Sequence, residues 1–378
     1  MQKIGVLGGM MDPIHSGHLH AAQAALKAGL DTVLLAPCLT PAHRPQPLAS
    51  ADDRLEMCRI AAREIPGLEA SDIELRAETC YAVDTVRMLR EKYPGAEITW
   101  IMGADKLPSL HHWYQAQELF AICDFYVCPR PGYDAELSVP GARIRVLGEA
   151  EMPASSGEVI EKLRLLDDAA GLLPRQVARY IALHGLYQPD YLPALLRYGM
   201  KEKRVQHTLG VRQTAVMLAD RWGAPMQAAG VAAMLHDIAK PLPLSEMQAL
   251  SRGYGLDEPD EILSDGNLLH GPLAAAIAAR ELNVKDNRVL SAIACHTTGK
   301  VGMTTLDKVL FIADAIEPNR ADYPGLSEMR ALVTADLDAA VLMSMRRTKE
   351  YVLSRGLPFC SRTEAAIQAI EQQKEETK

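Results

Sequence analysis

The chain has no apolar run long enough to cross a bilayer, so no spanning helix is expected. No basic-then-apolar leader is present either. Met1-Gln2-Lys3 runs straight into a strand pattern, so we expect no signal peptide and a cytoplasmic protein. Positive charge is not in excess: 40 Lys and Arg stand against 48 Asp and Glu, for a net charge of -8. That balance argues against a nucleic-acid backbone or an anionic membrane as partner. Small phosphorylated ligands stay compatible, because helix termini and local basic groups bind them without a basic protein. Cysteine is scarce, with seven scattered residues, which fits reduced thiols better than a disulfide framework. Cys123 and Cys128 are spaced too loosely for a zinc knuckle and read as core residues.

What the chain does have is length and pattern. Its 378 residues, 48% hydrophobic and 23% charged, suit a soluble globular protein too long for one ordinary core. We expect two domains, 1–187 and 188–378. In the first, strands read at Lys3–Leu7, Thr32–Ala36, Glu97–Met102, Phe125–Cys128 and Arg143–Leu147. Helices alternate with them at about Gly17–Ala28, Ser50–Glu64 and Ala82–Lys92, Ser50 serving as N-cap. This alternation predicts an α/β domain, a doubly wound parallel sheet with ligands at the carboxyl ends of its strands. After a joint at Gln188-Pro189-Asp190-Tyr191-Leu192-Pro193 the periodicity is helical throughout, so an all-α domain follows. Helices are expected at about Lys201–Arg221, Met226–Ile238, Pro272–Leu282, Asp286–His296, Thr305–Ala315, Leu326–Leu332 and Leu337–Arg355, with Gln372–Lys378 frayed.

The first candidate site is Gly8-Gly9-Met10-Met11-Asp12-Pro13-Ile14-His15-Ser16-Gly17-His18, between the first strand and the first helix. Glycines at a strand end let backbone approach a phosphate, and a helix start offers free N–H groups. His15 and His18, three apart, can share one face there and donate to a polyphosphate. A glycine pair alone would read as an ordinary turn; the His-x-Gly-His spacing at this junction favours function.

This string resembles the HxGH signature of the nucleotidylyltransferase superfamily. The runs Pro41-Ala42-His43-Arg44-Pro45, Tyr81-Ala82-Val83-Asp84-Thr85, Met102-Gly103-Ala104-Asp105, His112-Trp113 and Pro129-Arg130-Pro131-Gly132 follow in the order of the bacterial nicotinate-nucleotide adenylyltransferases, over about residues 2–187. The resemblance implies a Rossmann-like domain and in-line attack of a mononucleotide phosphate on the α-phosphate of ATP, with Mg2+ accompanying the ATP. It places Gly8, Gly9, His15, His18 and Arg44 near the triphosphate and Asp105 near the adenosine, with Thr85 and Trp113 near a nicotinate ring. On spacing alone Trp113 would be a core residue. Two departures stand out. Met10 and Met11 replace a hydroxyl residue and Phe. Further on, the closing run Ser155-Ser156-Gly157-Glu158-Val159-Ile160 has Gly and Ile where the family shows Thr and Arg. Lys162 or Arg164 are candidate substitutes for that lost cation.

The second candidate site centres on Leu235-His236-Asp237-Ile238-Ala239-Lys240, after an apolar, Ala-rich run. A His-Asp doublet at the end of a buried helix needs a partner or a metal. The later half holds only four histidines, His207, His236, His270 and His296, each at a helix end or within an apolar pattern. Asp314 closes another apolar run. Any one of these reads as a hydrogen-bonded core residue; together they exceed what one tetrahedral zinc needs and suit two metals bridged by Asp237. Mixed nitrogen and oxygen ligands point to first-row ions, iron first and manganese second. Lys240, Thr297, Thr298, Lys300 and Arg320 would serve phosphate oxygens, with Lys240 and Asp237 at the reacting centre.

The order His…His-Asp…His…His…Asp resembles the HD-domain metal-dependent phosphohydrolases. His296-Thr297-Thr298-Gly299-Lys300 and Ala313-Asp314-Ala315-Ile316-Glu317-Pro318-Asn319-Arg320 narrow the resemblance to the YqeK-like branch, over about residues 195–365. That branch implies symmetrical hydrolysis of diadenosine tetraphosphate to two ADP. The expectation is a fusion acting on ATP, nicotinate mononucleotide and diadenosine tetraphosphate, with self-association left open. A second reading makes the first half a non-catalytic nucleotide sensor regulating a hydrolase of other specificity, for dNTPs or a cyclic dinucleotide; Gly157 and Ile160 favour it.

Overall fold

The structure, a computed structural model, describes residues 1–39, 46–76, 81–148 and 154–376. Arg44 lies outside them. The elements of the first part are β1 (Lys3–Gly9), α1 (Ser16–Lys27), β2 (Thr32–Pro37), α2 (Ala51–Ala62), β3 (Leu68–Ala70) and α3 (Ala82–Lys92). Then come β4 (Glu97–Gly103), a 3-10 helix (Ala104–His112), α4 (Ala116–Ile122), β5 (Asp124–Cys128), β6 (Ile144–Val146), α5 (Ser156–Arg164) and α6 (Arg175–His184). The helical part holds α7 (Leu192–Arg197), α8 (Glu202–Trp222), α9 (Met226–Leu235), α10 (Leu244–Tyr254), α11 (Asp260–Leu263) and α12 (Gly266–Arg280). It ends with α13 (Asn287–Cys295), α14 (Thr305–Ile316), α15 (Leu326–Leu332), α16 (Leu337–Ser354) and α17 (Ser361–Glu376).

The six strands form one sheet in the order β3-β2-β1-β4-β5-β6, every pairing parallel. The order reverses between β1 and β4, which opens a crevice at their carboxyl ends where such sheets take ligands. Near-continuous burial along β1, β2 and β4 is what coverage of both faces demands. Ser50 caps α2 by accepting from Asp53 N–H at 3.1 Å, as its position predicts. Among the described residues, the six free cysteines, Cys123 and Cys128 included, are buried.

In the helical part α9 is buried on every side, which fits a run that is apolar all round. Its start is capped by Asp168, whose carboxylate accepts from Met226 and Gln227 N–H at 2.9 Å. Accordingly the chain divides into Met1–Arg164 with Ala169–Tyr180, and Leu165–Asp168 with Ile181–Lys378. Residues 165–168 and 181–187, expected with the first domain, go with the second unit. No described helix is long and apolar enough to cross a membrane.

Two helix expectations are corrected. α12 does not start at Pro272 but at Gly266, where Asp265 accepts from Asn267 N–H at 2.8 Å. Pro272 sits inside the helix, so His270 projects from a helix rather than preceding one. The segment expected to fray is helical through Glu376 as the largely exposed last turn of α17, and residues 377–378 lie outside the described residues. β3, the 3-10 helix, α4, α5, α6, α7, α10, α11 and α17 were not legible as elements.

Candidate functional sites

Five helices deliver the side chains around Asp237. His207 comes from α8, His236 and Asp237 follow the last turn of α9, His270 comes from α12, and His296 follows α13; Asp314 projects from α14. One oxygen of Asp237, Oδ2, lies 3.5 Å from His236 Nε2 and 3.8 Å from His207 Nε2. The other, Oδ1, lies 3.2 Å from His270 Nε2 and 3.9 Å from His296 Nε2. Asp314 Oδ1 adds to the first group, 3.0 Å from His207 Nε2 and 3.8 Å from His236 Nε2. One carboxylate thus faces two histidine groups, which is the arrangement of a bridge.

The rings are oriented from behind. His207 Nδ1 meets Glu317 Oε1 at 3.0 Å, His236 Nδ1 meets Ala233 O at 2.7 Å, and His296 Nδ1 meets Ile293 O at 2.7 Å. An acceptor at Nδ1 puts the proton there and leaves Nε2 as a lone pair aimed at the centre. His236 Nε2 is buried and makes no hydrogen bond among the described residues, while His270 and His296 face each other Nε2 to Nε2 at 3.1 Å. With its proton on Nδ1, His296 turns the Nε2 lone pair toward His270 and Asp237, where a cation can be held. His207, His236 and Asp314 each bring a ligand atom within 4.8 Å of the others, and so do His236, Asp237 and His296. The donor set fits divalent cations.

Electrostatics agree. Burial, then the charges of the His270 and His236 rings, push His296 down to about 3. Burial alone would raise Asp237, but His236, His270 and His296 outweigh it and hold the carboxyl well below its usual range. Positive groups surround the cluster. Arg204, one turn before His207, pairs with Asp237 Oδ2, and Arg320 Nη2 pairs with Asp314 Oδ1 at 2.6 Å. Lys240 Nζ lies 3.3 Å from His270 Nδ1 and 3.4 Å from Asn267 Oδ1. Thr297 Oγ1 is 3.3 Å from both the His270 and His296 Nε2 atoms.

The other candidate site lies at the carboxyl ends of β1 and β4. His15 precedes α1 and His18 is in its first turn; their rings stack with centroids 3.8 Å apart. His15 N–H donates to His18 Nδ1 at 3.3 Å, which leaves the His18 proton on Nε2. Burial, then the nearby Arg130 charge, lowers His15 to about 4. Burial, then His15 and Arg130, puts His18 well below its usual value. Both rings are therefore neutral donors at pH 7. A Cβ at Gly17 would stand 3.1 Å from the His15 ring, so the glycine between the histidines is what lets them stack. Asp105, on the 3-10 helix, pairs with Arg130 at 3.0 Å and Lys106 at 2.7 Å.

With both geometries in hand, the chain can be set beside known proteins. A cytidylyltransferase-like family model matches residues 6–162, and an HD-domain model matches residues 204–319. A probable nicotinate-nucleotide adenylyltransferase of Gloeobacter violaceus is 39% identical over 203 residues, covering 49% of this chain and 96% of that protein. A symmetrical bis(5'-nucleosyl)-tetraphosphatase of Bacillus subtilis is 40% identical over 167 residues, 44% of this chain and 88% of that protein. The chain belongs to both families, one in each half. A Mycoplasma pneumoniae protein named as a probable nicotinate-nucleotide adenylyltransferase/Ap4A hydrolase carries the same pairing, at 29% identity over 83% of this chain and 88% of its own. An HD domain implies a divalent-metal site, and the two groups around Asp237 are where this one can hold it.

In the tetraphosphatase-family half, the six expected ligands come together, with Lys240, Thr297 and Arg320 beside them. Thr298 and Lys300 do not join. Thr298 is buried and its hydroxyl donates to Gly299 O at 2.9 Å. Lys300 turns to Asp307 Oδ2 at 3.2 Å and to Ser291. Arg204, Asn267 and Glu317 were missed. Gly210 leaves room for Glu317, since a Cβ there would collide with its Oε2.

In the adenylyltransferase-family half, Gly8 owes its glycine to packing, since a Cβ there would meet the Trp100 ring at 2.9 Å. Gly9 is open by comparison, with Met11 the nearest group at 3.9 Å. Ser155 caps α5, accepting from Glu158 N–H at 3.2 Å, and Ser156 Oγ donates to Pro13 O at 3.2 Å, so this run does reach the first loop. Thr85 is corrected: it is buried, and its hydroxyl donates to Glu74 Oε1 at 2.9 Å, so it supports the site from behind. Trp113 is half-buried and stands edge-on to Trp100 at 6.1 Å. Arg54 was missed. It is 1% exposed and donates to the carbonyls of Met10 and Cys38 at 2.7 Å, Leu39 at 3.1 Å and Ala49 at 3.3 Å, tying the first loop to the end of β2.

Proposed function

We propose that the chain is a bifunctional nucleotide enzyme. Its first half transfers the adenylyl group of ATP to nicotinate mononucleotide, and its second half hydrolyses diadenosine tetraphosphate to two ADP. The observation that carries the second activity is the division of one carboxylate, Asp237, between two histidine groups.

Metals there would be held by His207, His236 and Asp314 on one side and His270 and His296 on the other, Asp237 between them. The mixed imidazole and carboxylate set suits iron or manganese. Bound divalent cations supply charge neutralisation at phosphate oxygens and acidify water. The chain's own part is to position: Arg204, Lys240 and Arg320 ring the cluster with positive charge, and Thr297 offers a hydroxyl at its edge. In the first half, no covalent intermediate is needed. Neutral His15 and His18 lie beside Arg130, where N–H donors stabilise charge on the triphosphate without adding a proton of their own. Mg2+ accompanies the ATP.

The test separates products. Diadenosine tetraphosphate should give ADP alone; a mixture of AMP and ATP sinks the symmetrical reading, and equal rates on dNTPs sink the substrate. Elemental analysis of the purified protein checks the metal. ATP with nicotinate mononucleotide should release pyrophosphate, faster than with the nicotinamide analogue. A specific observation favours the sensor reading: a Cβ at Gly157 would meet nothing within 4 Å, so no side chain closes that position. ATP binding without pyrophosphate release would establish it.

A further inference from the structure

We propose that a cavity among the end of α6, the loop that follows it, α8 and α9, lined by none of the six cluster ligands, is a binding site for a small monocarboxylate with a ring-sized apolar body. The cavity has a volume of about 200 Å³. It holds several water molecules' worth of space, enough for one ring and too little for a nucleotide. Arg212 from α8 lines it, with Gln227, Val231 and Met234 from α9 and Tyr191 beside the start of α7.

Arg212 makes the site chemical rather than a mere void. Among the described residues its guanidinium has neither a hydrogen bond nor an ion pair, and burial lowers its pKa. It lies against Gly185, where a Cβ would stand 3.0 Å from Nη1 and crowd the guanidinium; that glycine also has a φ of +65°, where a side chain is strained. A guanidinium fork open to a cavity matches the two oxygens of a carboxylate. Val231, Met234 and Pro189 give the remainder an apolar wall. The charge count selects within anions. The lining also holds Asp190, whose Oδ1 accepts from Leu192 N–H at 3.0 Å, and the imidazole of His184. One cation with one carboxylate nearby favours a monoanion over a phosphate dianion. Both helices that form the wall also deliver the cluster: α8 carries His207, and α9 leads into His236 and Asp237. Occupancy should therefore be felt there, although the binding claim does not depend on what the cluster hydrolyses.

The experiment is calorimetric titration of the full-length protein with benzoate and nicotinate, against benzamide, nicotinamide and inorganic phosphate. Saturable binding of the two carboxylates, with the amides and phosphate at least about tenfold weaker, is expected. Arg212→Leu, checked for a cooperative melt, should lose at least about tenfold in carboxylate affinity. Should that variant not fold, the Met234 methyl resonance of the methyl-13C-labelled wild type gives the same answer, by shifting saturably with benzoate. No saturable binding, equal binding of amides or phosphate, an unmoved Met234 resonance, or full affinity in folded Arg212→Leu overturns the proposal.

Discussion

His270 and His296 meet Nε2 to Nε2 at 3.1 Å while their Nδ1 atoms face the carbonyls of Gly266 and Ile293 at 3.3 and 2.7 Å. The Ile293 carbonyl holds the His296 proton on Nδ1, which leaves its Nε2 as an acceptor facing His270 and Asp237. A divalent cation bound by this cluster would stabilise the folded state. Protein dialysed against a chelator should melt lower. The loss should be about 3 kcal/mol for a metal present at a hundred times its dissociation constant. The same protein should lose diadenosine tetraphosphate hydrolysis but keep pyrophosphate release when assayed with Mg2+ alone. An unchanged melting temperature after verified metal removal would count against the metal centre.

Glu317 is the part of that centre acting from one layer out. It is buried and holds His207 Nδ1 at 3.0 Å, and its packing needs the absent side chain of Gly210. Glu317→Gln keeps the volume but removes the charge that fixes the His207 tautomer. We expect metal affinity or hydrolysis to fall about 10–100-fold with little change in the helical circular dichroism. Direct metal titration of the variant reads this out, and wild-type affinity would refute the orienting role.

The six ligands were legible because each stands at a helix end or in an apolar helical pattern, where a buried polar residue must find a partner, and because their order resembles that of the HD-domain phosphohydrolases. The doubly wound sheet was legible from strand-helix alternation. What failed did so for local reasons. Lys300 and Thr298 stand next to the ligand His296 in sequence, but the turn after α13 sends one to Asp307 and the other inward. Pro272 looked like a helix start because proline favours that position, yet Asp265 caps the chain before it. Arg54 sits in a helix whose neighbours Asp52, Asp53 and Glu56 read as surface, and nothing in that pattern announces a buried guanidinium.

Glu74 gives the first unit a pH dependence with a defined sign. Burial raises its pKa from 4.5 to about 7, against the lowering effect of the Thr85 hydroxyl. The folded state thus keeps a proton that the unfolded chain releases above its ordinary value. The stabilising contribution is full below about 4.5, declines as pH rises, and is gone above about 7. The whole swing is about 3 kcal/mol. Urea unfolding of the first-unit transition at pH 5 and pH 8 should show the decline, and Glu74→Gln should flatten it. A variant with the wild-type pH slope would assign the dependence elsewhere.

Arg54 supports the first loop from inside. Its guanidinium satisfies four carbonyls, those of Met10, Cys38, Leu39 and Ala49, while Asp12 accepts from Leu48 and Ala49 N–H at 2.6 and 3.1 Å on the same loop. Arg54→Met would leave those buried acceptors without the donor, and each unsatisfied group costs about 1–3 kcal/mol. We expect a loss of at least about 3 kcal/mol in urea unfolding of the first unit. Arg54→Lys keeps the charge but not the fork, so it should recover part of the stability while leaving the Met10 and Cys38 carbonyls unequally held. Pyrophosphate release should then fall in Arg54→Lys even at temperatures where the variant is fully folded, because Met10 lies in the loop that leads to His15. Wild-type turnover in a folded Arg54→Lys protein would show that Arg54 stabilises this loop without shaping the site.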